Sequence, residues 1–433
     1  MSTSEVQAST KRPATQGEIA KPGLMVGLLT ASYALSFMDR GVINLLLDPI
    51  KKEFALSDTV LGLIAGFGFV LAYSTLGLLI GRIADRKHRV SIVAGAIAFW
   101  SAMTAVTSVA SSVTQIVLAR LGVAAGESAL QGPAHSLIAD QYPKDMRSRA
   151  LAIYSTGPYL GIFFGFMTAG WVSHYYGWRM AFLAAGAPGL IFALAIYFLV
   201  REPVRGRMDS PRIDGRLFSL ADTLHFLFRQ RTFVLCLVGF CLTSYTNFAL
   251  SVWVPSFLRR IHHLNGAEIG TYAGTIKGLV GVAGALAGGW AVDRFRAHRA
   301  RWRLQLPAWA SMLAGPVLLV FYFGGALSTA LIGLMVGVFL TAVHIGPIYA
   351  VVQAVAKVRM RSFASSTMLL GASFFGNGLA PLVIGYMNDT LTPTYGDQAI
   401  RYSLASASLT SVLGGLCLWF AARSFAADVE RAF

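Results

Sequence analysis

Charge is scarce in this chain of 433 residues. Only 13% are Asp, Glu, Lys or Arg, about half the usual ~25%, and a water-soluble surface of this size needs more. Cysteine is scarcer still. Cys236, Cys241 and Cys417 each lie inside an apolar run, which points to small buried side chains and away from a disulfide framework or a zinc site. Catalytic signatures are missing too: there is no G-x-S-x-G, no H-E-x-x-H and no thiol–His pairing. His135 and Asp140 have an H-x4-D spacing, but on a helix they lie about 140° apart around the axis. An enzyme is not expected, and neither a metal nor a cofactor is called for. The first 22 residues are polar, and the apolar run after them is too long for a signal-peptide core and contains an Asp-Arg pair. It reads as a retained first span.

What the chain has in abundance is hydrophobicity: 55% of residues are apolar and the mean hydropathy is +0.60. Runs long enough to cross about 30 Å of hydrocarbon recur near 24–47, 59–81, 91–110, 113–139, 148–172, 179–200, 232–257, 268–291, 304–324, 327–352, 362–387 and 402–422. The expected fold is all-α and integral to a membrane, with twelve transmembrane helices in two six-helix bundles. The domain reading is a cytoplasmic N-terminal tail over 1–22, a bundle over 23–200, a cytoplasmic linker over 201–231, a second bundle over 232–424 and a C-terminal tail over 425–433. The linker holds Pro203, Gly206, Pro211 and Gly215.

The net charge of +16 and pI near 10 would suggest nucleic acid in a soluble protein. Placed along the chain, the bases say otherwise. With the N-terminus inside, the tails and even-numbered loops hold 27 Lys and Arg, residues at span edges included, and the odd-numbered loops hold 6. The positive-inside rule then puts both termini in the cytoplasm, and the excess charge is a topology signal with no nucleic-acid partner. Short loops, with 28 Arg against 8 Lys, fit a bacterial inner membrane. A monomer is expected.

The halves repeat. Gly81-Arg-Ile-Ala-Asp85-Arg86 corresponds to Gly289-Trp-Ala-Val-Asp293-Arg294 at an offset of 208, and Met146-Arg147-Ser148 to Met360-Arg361-Ser362 at 214. Parallel duplicated bundles with a site between them at mid-membrane are a transporter arrangement.

Five charges fall inside spans: Asp39, Arg40, Arg120, Glu127 and Lys277. Each costs roughly 2.5–3.5 kcal/mol at a helix centre and persists only when paired or watered. At about 1.5 Å per residue, Asp39, Arg120 and Lys277 share one level roughly 10–13 Å from the outer surface. An Asp39–Arg120 pair between spans 1 and 4 is therefore feasible, with Glu127 two turns deeper on the Arg120 face. Arg offers a planar fork for phosphate or carboxylate, so Arg40 and Arg120 are the expected seat of an anionic head. Lys277, Asn247 and Asn377 are candidate wall residues. Asp39 and Glu127 are the expected proton carriers, because their protonation responds to whether the Arg holds another anion. A structural bridge locking spans 1 and 4 is the alternative.

The stretch Gly81–Arg89 resembles the loop motif G-x-x-x-D-R-x-G-R-R of the major facilitator superfamily, departing from it at His88 and Val90. Arg120-Leu-Gly122-Val-Ala-Ala-Gly126-Glu127 resembles that superfamily's span-4 motif. Met38-Asp39-Arg40, Ile97-Ala-Phe-Trp100-Ser101, Gly126-Glu127-Ser128-Ala129 and Leu137-Ile-Ala-Asp140 are similar to the spinster-type lipid transporters. The resemblance implies the same span-1 acid–base pair and span-4 Arg and Glu. It also implies an inner-gate latch in which Gly81, Asp85, Arg86, Gly289, Asp293 and Arg294 act with Arg147 and Arg149.

With no nucleotide-binding motif, the driving force is expected to be an ion or substrate gradient. The function expected is proton-coupled movement of an amphipathic anion of lysophospholipid or sphingoid-phosphate type across the lipid bilayer by alternating access. A proton-coupled carrier of small organic anions is the runner-up, and a drug/proton antiporter is third, since clustered bases repel cationic drugs.

Overall fold

The computed structural model describes residues 22–84, 87–204, 219–295, 301–357 and 360–432. Among them every regular element is helical. Nine helices among the described residues are long and apolar enough to cross a membrane. The helix Pro22–Phe54, 33 residues long and carrying Asp39 and Arg40, lies outside those nine.

Two of the nine runs, Arg149–Leu199 with 51 residues and Arg361–Ala432 with 72, far exceed the ~20 residues of one crossing. Both are broken at a glycine in the positive-φ region, where other residues are strained: Gly177 at φ 84° and Gly396 at φ 55°. Elsewhere the helix starts are marked by side chains that satisfy the free N–H groups of a first turn. Ser57 accepts from Val60 N and Ser112 from Gln115 N, while Asn265 and Glu268 form a reciprocal capping box.

The duplication visible in the sequence extends to local backbone. One π-helical turn, Leu63–Phe67, interrupts the run 58–84, and another, Ile276–Val280, interrupts the run 266–295. Their separation falls between the two sequence offsets. A third π segment, Ala372–Leu379, interrupts 361–395. Such turns widen a helix locally and gather at functional sites.

The two halves meet tightly at one end of the bundle. There the Asp389 carboxylate accepts from Asp58 N at 2.9 Å, Thr59 N at 2.8 Å and Thr59 Oγ1 at 2.6 Å. The backbone of Gly62 and Gly66 lies against Pro381 and the Asn377 carbonyl so closely that a Cβ at either position would collide. Toward the opposite end, the 58–84 run leaves the 231–262 and 361–395 helices, and an apolar crevice of about 560 Å³ opens between them.

The linker 201–231, expected as a polar connection, includes a ten-residue helix, Leu220–Arg229, capped by Ser219. Its Leu227 is buried in the second half's core while Leu220 and Phe228 are exposed. Residues 205–218 lie outside the described residues, as do 1–21 of the N-terminal tail.

Candidate functional site

Four charged side chains converge inside the first half, in an arrangement that differs from the expected one. Arg40 donates to a single oxygen of Glu127 through Nε at 3.0 Å and Nη2 at 2.6 Å, and the Glu127 side chain is 1% exposed. Asp39 instead accepts from Thr104 Oγ1 at 3.1 Å. The Asp39–Arg120 pair thought feasible is thus corrected: no ion pair joins these two residues within 4 Å. Neighbouring residues on a helix point about 100° apart. The short Asp39 therefore meets the helix Arg89–Val109, while the long Arg40 side chain reaches Glu127 on the helix Val113–Ser128.

Aromatic rings complete the cluster. The Arg40 guanidinium lies 4.6 Å from the Phe37 ring, 4.8 Å from Phe69 and 5.5 Å from Tyr73. Arg120 faces the same Phe69 ring at 4.9 Å. Its Nε and Nη2 are buried without hydrogen-bond partners, as is Glu127 Oε1. Two acids and two bases leave the cluster formally neutral, and its open bonding capacity lies on Arg120 and Glu127.

Lys277 and Asn247 meet in the second half. Lys277 sits in the π turn Ile276–Val280 and is buried. Its Nζ lies 3.3 Å from the Asn247 carbonyl and 3.4 Å from its Oδ1. Both line a cavity of about 320 Å³ with Phe37, Tyr159, His344 and Tyr349 among its walls. Asn377 is not there. It shares with Arg40 and Asn44 a smaller pocket of about 30 Å³, which adjoins the larger one along Phe37, Ile162, Phe248 and Ser251.

The apolar crevice lies next to both. Phe69 and Tyr73 on the 58–84 run face Arg40, while Val70 and Ser74, one position on, line the crevice. On the helix Arg231–His262, Ser244 and Phe248 line the Lys277 cavity, and Cys241 and Tyr245 line the crevice.

Two clusters escaped the sequence reading. At the tight end, Arg260 contacts both Asp48 and Asp58, with Lys51 and Asn388 also on Asp58. Nothing local signals this lock, because its members lie 202 to 330 residues apart wherever it crosses between halves. At the other end, buried Arg89 donates to Asp140 at 2.5 Å, Ser136 at 2.6 Å, Glu202 at 2.6 Å and the Pro203 carbonyl at 3.0 Å. Asp140 therefore has a structural partner, and His135 packs edge-on against Tyr154.

Of the expected inner latch, Asp85 and Arg86 lie outside the described residues, as does the Asp293 side chain. Gly81 and Gly289 lie within helices. Arg149 and Arg294 are exposed, and Arg147 Nη2 donates to the Ala139 carbonyl at 2.6 Å. Among the described residues no three His, Cys, Asp or Glu cluster as a metal site requires.

Residues 29–381 match the Major Facilitator Superfamily, and the chain belongs to that family of membrane transporters. Within it the likeness to spinster-type proteins holds. The chain is 27% identical over 439 residues to Protein spinster homolog 1 of Homo sapiens, covering 95% of this chain and 83% of the relative. It is 28% identical over 405 residues to an MFS-type efflux pump of Mycolicibacterium smegmatis, with 93% of each covered. A crystal structure of a bacterial homologue of the human lysosomal transporter spinster, inward-facing and unoccupied, matches with a TM-score of 0.84. It is 25% identical, with 94% of this chain and 98% of the other covered.

Proposed function

We propose that this protein is a proton-coupled secondary transporter of an amphipathic anion, working as a monomer by rocking of residues 23–200 against 232–424. Twelve spans with both termini in the cytoplasm of a bacterial inner membrane are part of this reading. The observation that carries it is a juxtaposition. A neutral cluster of two acids and two bases adjoins a largely apolar cavity whose lining residues include Lys277 and no acid, and an apolar crevice runs beside both. The first can exchange a proton, the second can take an anionic head, and the third suits a lipid tail.

The charge distribution supports placing the tight Arg260 end outside and the crevice toward the cytoplasm. On that placement the conformation is closed outside and open inside. Coupling follows from the shared use of Arg40. If an anion in the adjoining pocket draws Arg40 away, Glu127 is left buried without the base that is hydrogen-bonded to it, with two acids against Arg120 alone, and such a cluster takes up a proton. Returning Arg40 to Glu127 releases it. The lysophospholipid or sphingoid-phosphate class is favoured over a small organic anion by the crevice, which a short solute would leave empty. The efflux-pump relative keeps a drug/proton antiporter as the other reading, but an unpaired Lys277 in the cavity wall disfavours a cationic drug.

Proteoliposomes carrying purified protein and subjected to a pH jump test this. Flux of a lysolipid should follow the gradient and lose that dependence in Glu127→Gln. Flux indifferent to both would end the coupling claim.

A further inference from the structure

We infer that the charged head of the transported anion seats in the second half, on Lys277 and His344, and not on the Arg40–Arg120 cluster. This rests on the anion-carrier reading and deepens it.

The charges of the two sites differ in kind. Arg40 is already held by Glu127 through two nitrogens, and Arg120 shares its surroundings with Asp39 and Glu127. An incoming anion would have to displace one of those carboxylates. Lys277 has no acid within ion-pair distance among the described residues, and none of the residues lining its cavity is acidic. Lys277 is 5% exposed, and its ammonium rests on two Asn247 oxygens at distances too long for strong bonds. A buried cation so poorly compensated is costly by itself and is relieved by one anion of matching size.

His344 supplies the second contact. It is 2% exposed and lines the same cavity. Its Nε2 lies 3.0 Å from Thr243 Oγ1, and its Nδ1 is buried with no hydrogen-bond partner. The Thr243 hydroxyl has one proton and two acceptors in reach, Nε2 and the Phe240 carbonyl at 3.2 Å. In the arrangement where it donates to Nε2, the ring proton sits on Nδ1, free to donate to a ligand oxygen. Buried donors are rarely left unmatched. Ser244 and Ser251 hydroxyls and the Tyr159 and Tyr349 rings complete the wall. One cation and one neutral donor suit a singly charged head, a carboxylate or a monoanionic phosphate, with the chain leaving along the face of the helix Arg231–His262 toward the crevice.

The division of labour is then physical: proton exchange in the first half, anion binding in the second. Arg40, in the pocket that adjoins the Lys277 cavity, links the two by turning toward a seated head.

Calorimetric titration of the full chain in phosphatidylcholine nanodiscs with hexyl phosphate, hexanoate and inorganic phosphate tests the inference. The wild type should bind hexyl phosphate or hexanoate, and the comparison between them identifies the head. Lys277→Met should weaken that binding tenfold or more, His344→Gln several-fold, and Lys277→Arg much less. In the wild type, the bound probe should also protect Lys277 from reductive methylation read by mass spectrometry, a result that needs no variant to fold. If the wild type binds but Lys277→Met binds equally well and Lys277 is not protected, the seat is wrong and the carrier reading stands. If the wild type binds neither probe, both fall.

Discussion

Arg260, in the second half, closes on both carboxylate oxygens of Asp58 in the first, through Nη1 at 2.5 Å and Nη2 at 2.9 Å. The Asp58 side chain is 1% exposed and Arg260 is 15% exposed. A fork-to-fork pair in such a place fixes orientation as well as distance. It ties together two bodies that must separate if the protein works by alternating access. On the alternating-access reading proposed above, the contact is a conformational lock whose strength sets part of the balance between the two states.

Arg260→Gln should open that end. Removing one partner of a buried pair costs about 3–5 kcal/mol, charged here to the closed conformation only. Asp58→Asn should do less, since Arg260 keeps Asp48 at 2.5 Å. Spin labels on exposed Lys52 and Tyr395, one in each half, should report a longer distance population in Arg260→Gln. An unchanged distribution would show that the Gly62–Pro381 and Asp389–Asp58 contacts close this end alone.

Arg40 and Glu127 form a second buried pair, and its energetics are testable without transport. Arg40→Gln and Glu127→Gln each leave an uncompensated partner and should each lower the thermal midpoint, by the same ~3–5 kcal/mol scale. The double variant removes both charges together, leaving no unpaired partner, and should be less destabilised than the sum of the two. Additive losses would mean that the contact contributes little and that Arg40 is held by Phe37, Phe69 and Tyr73 instead.

How legible was this in the sequence? The four charges of the first half were, because an ionisable residue in an apolar run stands out against its surroundings. Their pairing was not. Which of Asp39 and Arg40 meets span 4 depends on helix rotation and on side-chain length, and a spacing argument along one helix contains neither. Repeats and apolar run lengths are local properties, and so the family and the helical architecture could be read directly. The Arg260 lock, the Arg89 knot and the Thr104 donor join residues from helices far apart in the chain. In the sequence His344 is only a polar residue in an apolar run, and what sets it apart is a missing partner on Nδ1, which only three dimensions reveal.

Arg89, in the loop motif, is buried, and it holds Asp140 and Glu202 apart by sitting between them. Arg89→Gln leaves two acids facing one another, and Arg89→Lys keeps the charge but cannot serve four acceptors from one planar group. Both should lower the thermal midpoint in detergent, the Gln variant more, on a scale of about 3–5 kcal/mol. Equal midpoints for wild type and Arg89→Lys would show that charge alone matters at this knot.

The crevice separates the lipid reading from the small-anion reading. Val238 lines it and is 43% exposed, so Val238→Trp adds a large ring to the crevice without crowding a packed core. Lys277, Asn247 and His344 are untouched, since the Lys277 cavity is lined by other positions of the same helix. If a tail occupies the crevice, uptake of an eighteen-carbon lysolipid into proteoliposomes should fall at least fivefold, while exchange of hexanoate or hexyl phosphate stays within twofold of wild type. A tail that lies elsewhere predicts equal rates for both proteins with both solutes. Loss of both activities together would instead mean that the ring blocks the closing of the 58–84 run on the 231–262 helix. That arrest would show as an unchanged label distance at Lys52 and Tyr395 on addition of substrate.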